Sequence, residues 1–219
     1  MKAILSSATL VALAATTHAS ILISGVIDGS ISRPKGIELY VFNNGSDFSD
    51  WTIQVESNGG SSWGQIFAFN DLTSATLDEG FYYVTSTDTD MISQFASATA
   101  SNTFADSSFN QNGNDAFRLL DGGSNVIDIY GDPADVSRSN DFDAAWAYND
   151  SFAYRKDTDG PSATFDEADW TIPGSDFIDS NGGNNALFPA GSFSAIPETS
   201  TAIPLAAFCI AGLLIRRRK

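Results

Sequence analysis

Any chemistry in this chain has to come from carboxylates, carboxamides and indoles, because the usual nucleophiles and bases are missing from its body. The single histidine is His18 and the single cysteine is Cys209. Both lie in the stretches at the two ends, so residues 20–195 contain neither. A Ser-His-Asp triad, a Cys-His pair, zinc held by imidazole or thiolate, and disulfides are therefore excluded from the body. A carboxylate acid/base pair of the glycosidase kind would need two placed acids. The glutamates available are Glu38, Glu56, Glu79 and Glu167, and none stands in a catalytic motif. Glu38 has apolar neighbours, which suits a buried, bridging carboxylate with a structural hydrogen-bonding role.

Two further sets of residues could bind something. Asp157-Thr158-Asp159-Gly160, followed by Asp166, has part of the pattern of a calcium loop. Aligned on Gly160, however, the first ligand position falls on Arg155 and the last is an Asp instead of the usual Glu. Asp157, Asp159 and Asp166 are thus the metal candidates, and calcium is the one cofactor to consider. Asp88 with Asp90, and Asp132 with Asp135, are weaker pairs. Trp51, Trp63, Trp146 and Trp170 could stack on a sugar, although their places on alternating strands send most of them to the core. Trp63, flanked by Ser61, Ser62 and Gly64, is the best exposed ligand candidate. Arg155, beside Tyr154, reads as a cation–π or ion-pair partner that locks the last strands. No Gly-rich phosphate loop and no cofactor fingerprint is present.

Charge narrows the partners. Residues 20–195 carry 26 acidic against 6 basic residues, a net charge near −20. Such a surface repels phosphate backbones, so nucleic acid is not an expected partner. The acids are mostly Asp in company with Asn, Gly and Ser, which is the chemistry of turns.

The elements that must position these residues are short strands. Ile21 to Ile27 is β-branched and bounded by Asp28-Gly29-Ser30. Gly36 to Phe42 follows, with Ile37, Leu39 and Val41 on one face and Glu38, Tyr40 and Phe42 on the other. Asp50 to Glu56 alternates with Trp51, Ile53 and Val55 on its core face. Gln65 to Phe69 and Phe81 to Thr85 are the fourth and fifth strands. Met91, Ile92 and Phe95 suit one face of a short helix, while Phe104 and Phe109 pin a long loop to the core. Ala116 to Leu120 and Val126 to Tyr130, joined across Asp121-Gly122-Gly123-Ser124, form the clearest hairpin. Phe152 to Arg155 and Trp170 to Ile172 close the domain. Strands at this spacing, with turn signals between them and almost no helical periodicity, predict an all-β sandwich or barrel of one domain.

The two ends read as targeting segments. Lys2, the apolar run Ala3 to Ala15 and Thr17-His18-Ala19 match a secretory signal peptide over residues 1–19, with cleavage between Ala19 and Ser20. From Asn181 to Ala195 the Asn, Gly, Ser and Ala composition predicts a flexible linker. Residues 196–219 then supply Pro197-Glu198-Thr199, an apolar run over 201–215, and Arg216-Arg217-Arg218-Lys219. Fifteen helical residues span about 22 Å, short of the roughly 30 Å of a bilayer core, which snorkelling arginines and local thinning can accommodate. The four terminal charges place that end on the cytoplasmic side. Cys209 is a small apolar filler within the run.

Several of these segments carry family resemblances. GIELYVFNNG, GNDAFRLLDGGSNVIDIYGD, AYRK and ATFDEADW, in that order, resemble a bacterial lamin-tail domain. The resemblance implies an immunoglobulin-like β-sandwich over residues 20–180. The tail resembles a PEP-CTERM sorting signal, with Pro197 and Glu198 matching its motif and Thr199 standing where the family has a second proline. That implies a surface or exopolysaccharide-associated protein of a Gram-negative bacterium, anchored by one membrane helix and handled by an exosortase-type transpeptidase at Pro197-Glu198. The expected role is non-enzymatic, in envelope or matrix structure or in adhesion. A calcium- or carbohydrate-binding extracellular module is the alternative, with a carboxylate-based hydrolase behind both.

Overall fold

The computed structural model describes residues 21–58, 62–72, 74–107, 109–132, 144–157 and 159–194. The segments read as signal peptide (1–19, with Ser20), sorting motif (Pro197, Glu198, Thr199), apolar run and basic end lie outside these residues. Among the described residues no helix is long and apolar enough to cross a membrane.

Twelve strands follow one another: β1 (Ile21–Asp28), β2 (Lys35–Val41), β3 (Ser46–Asp47), β4 (Thr52–Glu56), β5 (Trp63–Ala68), β6 (Thr76–Leu77), β7 (Gly80–Thr85), β8 (Thr103–Ala105), β9 (Ala116–Leu120), β10 (Val126–Tyr130), β11 (Ser151–Arg155) and β12 (Trp170–Thr171). Two short helices are interposed, α1 (Asp88–Gln94) and α2 (Phe177–Ser180). One sheet has six strands in the order β12-β11-β1-β2-β7-β8, and the other has four, β10-β9-β4-β5. Strands β3 and β6 form a small separate ribbon. Pairing is antiparallel except between β7 and β8. The architecture is an all-β sandwich of open sheets.

The core between the sheets follows from the period of two. Ile37, Leu39 and Val41 of β2 and Ile53 and Val55 of β4 are buried there, with Ile21, Ile23 and Val26 of β1 and Phe117 and Leu119 of β9. Phe109 is fully buried in this core and Phe104 packs against it, as the pinned loop requires. Met91 on α1 and Phe95 just beyond it are buried in a second core. Of the four indoles, Trp146 and Trp170 are in the main core, Trp51 packs against it, and Trp63 is half-buried at the start of β5.

That second core changes the reading of the C-terminal part. It covers the outer face of the six-stranded sheet and contains Leu22 and Ile27 of β1, Tyr83, Phe152 and Tyr154, with Ile178, Phe188 and Phe193 laid over them. Residues 181–194 are therefore packed, where composition predicted a flexible linker. Their Asn and Gly serve turns that bring two isolated phenylalanines onto the sheet. One close approach depends on Gly25, because a Cβ there would lie 2.8 Å from the rings of both Phe188 and Tyr154. Strand β1 is consequently buried on both faces along its whole length. Its continuous apolar run ILISGVI is what a strand covered on both sides needs.

Candidate functional site

Two buried polar networks and one polar cavity use most of the distinctive residues. The first network closes one side of the sandwich. Arg155, at the end of β11, and Asp128, on β10 of the other sheet, form a fully buried pair, with Arg155 Nη2 2.7 and 2.8 Å from the two Asp128 oxygens. Around Ile23 of β1, the two side chains take the place of a neighbouring strand. Arg155 Nε donates to the Ile23 carbonyl at 2.9 Å, and Asp128 Oδ2 accepts from the Ile23 amide at 2.8 Å. Arg155 Nη1 also donates to Gly160 O, and Asp128 Oδ1 accepts from Ser162 N. The guanidinium lies 4.5 Å over the Trp170 ring. Both roles foreseen for Arg155, ion pair and cation–π, are realised at once. Burial pushes the Asp128 carboxyl up, and the Arg155 charge and hydrogen bonds oppose that rise.

The second network is centred on Glu38, which is completely buried. Between Ile23 and Gly25 the register of β1 on β2 slips by one residue, leaving Ser24 as a bulge opposite Glu38. Glu38 Oε1 accepts from Ser24 Oγ at 2.7 Å and from Tyr154 OH at 2.8 Å; Oε2 accepts from Tyr83 OH at 2.9 Å and from Gly191 N at 2.7 Å. Tyr154 OH in turn accepts from Ser192 N and Phe193 N. Gly191 has φ of +72°, and a Cβ there would come within 2.5 Å of Ser97. Glu38 is thus a bridging carboxylate, and what it bridges is the sheet and the C-terminal segment. Desolvation raises its pKa while the four donors pull it down.

The cavity, of about 330 Å³, opens at one end of the sandwich. Its walls come from Lys35 at the start of β2, Asn58 after β4, Gln65 on β5, and Gln111, Asn112 and Asp115 in the loop before β9. Lys35 Nζ is 2.8 Å from Asp28 Oδ1 and also donates to the Gln111 carbonyl. Asp115 fixes the loop by accepting from Asn58 N and Asn112 N, each at 2.8 Å. Gln111 is only 3 % exposed, yet neither side-chain polar atom has a partner. Tyr148 OH and Ser151 Oγ, both fully buried, are likewise without partners, and Ser151 is paired in register with Asp28.

Asp28 supplies a pH signature. Burial is the main influence on it, outweighing Lys35, and its pKa rises from 3.8 to about 6. Its stabilising contribution is therefore complete below pH 3.8 and is lost as the pH climbs through about 6. Thermal melts across that window should show the wild type losing about 3 kcal/mol relative to Asp28→Asn. A gap between the two proteins that does not change with pH would contradict this.

The other sequence candidates are separated from one another. Trp63 has the Arg118 guanidinium 4.4 Å over its ring, and Arg118 is held by Gln54 Oε1. One face of the indole is therefore already taken. Asp157 accepts from Ser194 N, and Asp166 caps the turn at Ala168 N. Asp159 lies in the turn after Lys156, whose carbonyl accepts its amide. Among the described residues no group of three or more His, Cys, Asp or Glu is placed to hold a metal. The cavity residues were not singled out in the sequence, where Asn112-Gly113-Asn114-Asp115 reads as a turn. The available signal was the density of carboxamides in Asn110-Gln111-Asn112-Gly113-Asn114. Comparison with family models and with curated proteins gives no match.

Proposed function

We propose that the chain is an exported, non-enzymatic module of the cell surface, an immunoglobulin-like sandwich of the lamin-tail type serving envelope or exopolysaccharide-matrix structure or adhesion. The observation that carries the reading is the use made of the buried acids. Glu38 and Asp128 have both carboxylate oxygens engaged by protein donors, which suits a scaffold better than an acid/base catalyst. The signal-peptide and sorting-signal patterns at the ends supply the address, with the membrane and an exosortase-type transpeptidase as partners at Pro197-Glu198. A net charge near −20 on residues 20–195 keeps such a module soluble and away from nucleic acid.

A binding role within the matrix is the second reading, and the polar cavity favours it. Fractionation combined with surface labelling of intact cells tests the location. The labelled protein should be found in the envelope or the medium. Protein confined to the cytoplasm would contradict the reading.

A further inference from the structure

We propose that the cavity between Lys35, Asn58 and Gln111 is a binding site for one unit of a neutral, hydroxyl-rich saccharide. Four features of the site point to that ligand class. The walls are almost entirely polar and rich in carboxamides: Asn58, Gln65, Gln111 and Asn112. A carboxamide offers a donor and an acceptor side by side, the complement of two adjacent hydroxyls. In Gln111 both are unspent although the side chain is buried, and an unmade hydrogen bond there costs stability that a ligand or an ordered water would return. Its volume of about 330 Å³ is at the small end of the usual range for ligand pockets, roughly 300–1,000 Å³.

Charge decides between ligand classes. The cation in the wall, Lys35, is already satisfied by Asp28 and the Gln111 carbonyl, so it is not free to capture an anion. Asp115 adds a negative charge at the wall, and residues 20–195 as a whole are strongly acidic. Uronates and phosphorylated sugars are disfavoured on both counts. A divalent cation is disfavoured too, because the Lys35 ammonium occupies the position beside Asp28.

The site assigns a ligand class to the matrix module proposed above and rests on that reading only for the source of the sugar. Protein found solely in the cytoplasm would remove the source. Failure to bind in correctly exported protein would remove the site alone.

The test is a titration of the full-length ¹⁵N-labelled protein with the methyl glycosides of glucose, mannose and galactose, followed through the side-chain amide signals of Gln111, Asn58 and Asn112. Glucuronate serves as the anionic counterpart. At least one neutral glycoside should give saturable shifts with a dissociation constant on the order of 1 mM, and glucuronate should bind at least tenfold more weakly. Gln111→Leu should weaken binding at least tenfold while its melting temperature stays level or rises, since a buried unpaired amide is exchanged for an apolar group. Three outcomes would overturn the proposal: no saturable shift with any of the three glycosides, glucuronate binding as tightly as they do, or unchanged binding by Gln111→Leu.

Discussion

Replacing Arg155 by Ala should destabilise the protein by about 3–5 kcal/mol, the usual cost of leaving a buried charge without its partner. The substitution removes the cation from a completely buried Asp128 and frees the Ile23 carbonyl from its donor. It also strips the cover from the Trp170 ring. For a domain of this size that amounts to a melting temperature lower by roughly 10 °C. The loss should depend on pH in a defined direction. Asp128 is already raised by burial, and without Arg155 it is raised further, so its protonated form is favoured in the folded state. The variant should therefore be weakest at neutral pH and recover part of its deficit as the pH falls and Asp128 is neutralised. The double substitution Arg155→Met, Asp128→Leu should be milder than Arg155→Ala alone, because no unpaired charge is left behind. A double variant as unstable as the sum of the two singles would show that the main-chain bonds to Ile23 matter more than the charges.

The second large effect is expected at Glu38. Glu38→Ala leaves the hydroxyls of Ser24, Tyr83 and Tyr154 and the Gly191 amide without their shared acceptor. Each buried group so orphaned costs about 1–3 kcal/mol, and partial relaxation among the four should leave a net loss of about 3 kcal/mol or more. The effect should also be local. The Gly191 amide bonds Glu38 directly, and the Ser192 and Phe193 amides reach it through Tyr154, so the C-terminal segment should come away first. Limited proteolysis should cut Glu38→Ala between Phe188 and Ser194 under conditions that leave the wild type intact. Hydrogen exchange at Gly191, Ser192 and Phe193 should accelerate ahead of exchange in β1 and β2. Equal acceleration throughout the sheet would contradict the idea of a separate strap.

The sequence showed different parts of this arrangement to different depths. Strand periodicity placed Ile37, Leu39, Val41, Ile53 and Val55 correctly, because alternation reports which face is apolar. It could not say that the outer face of β1 is covered too, since the cover is Phe188 and Phe193, two aromatics set among Asn, Gly and Ser. Such a composition usually marks linker, and here it supplies turns for a packed segment. Glu38 was legible as a bridging carboxylate from its apolar flanks. Its partners, from 14 to 153 residues away in the chain, were not legible, because only the bulge at Ser24 and the left-handed backbone at Gly191 bring them together. Arg155 was readable as a lock, whereas Asp128 looked like one of many aspartates. The cavity was hidden for the same reason. Its carboxamides come from three separate segments, and each segment alone is an ordinary turn.

The account's central claim is that this sandwich is an exported surface module with sorting information at its C-terminal end. Intact-mass measurement with C-terminal sequencing, on protein recovered separately from the envelope and from the medium, tests it most directly. The account predicts a chain that begins at Ser20 in both fractions, with the basic end Arg216 to Lys219 present in an anchored form or removed together with the region after Pro197-Glu198. Protein that retains residues 1–19 and is absent from both fractions would contradict it.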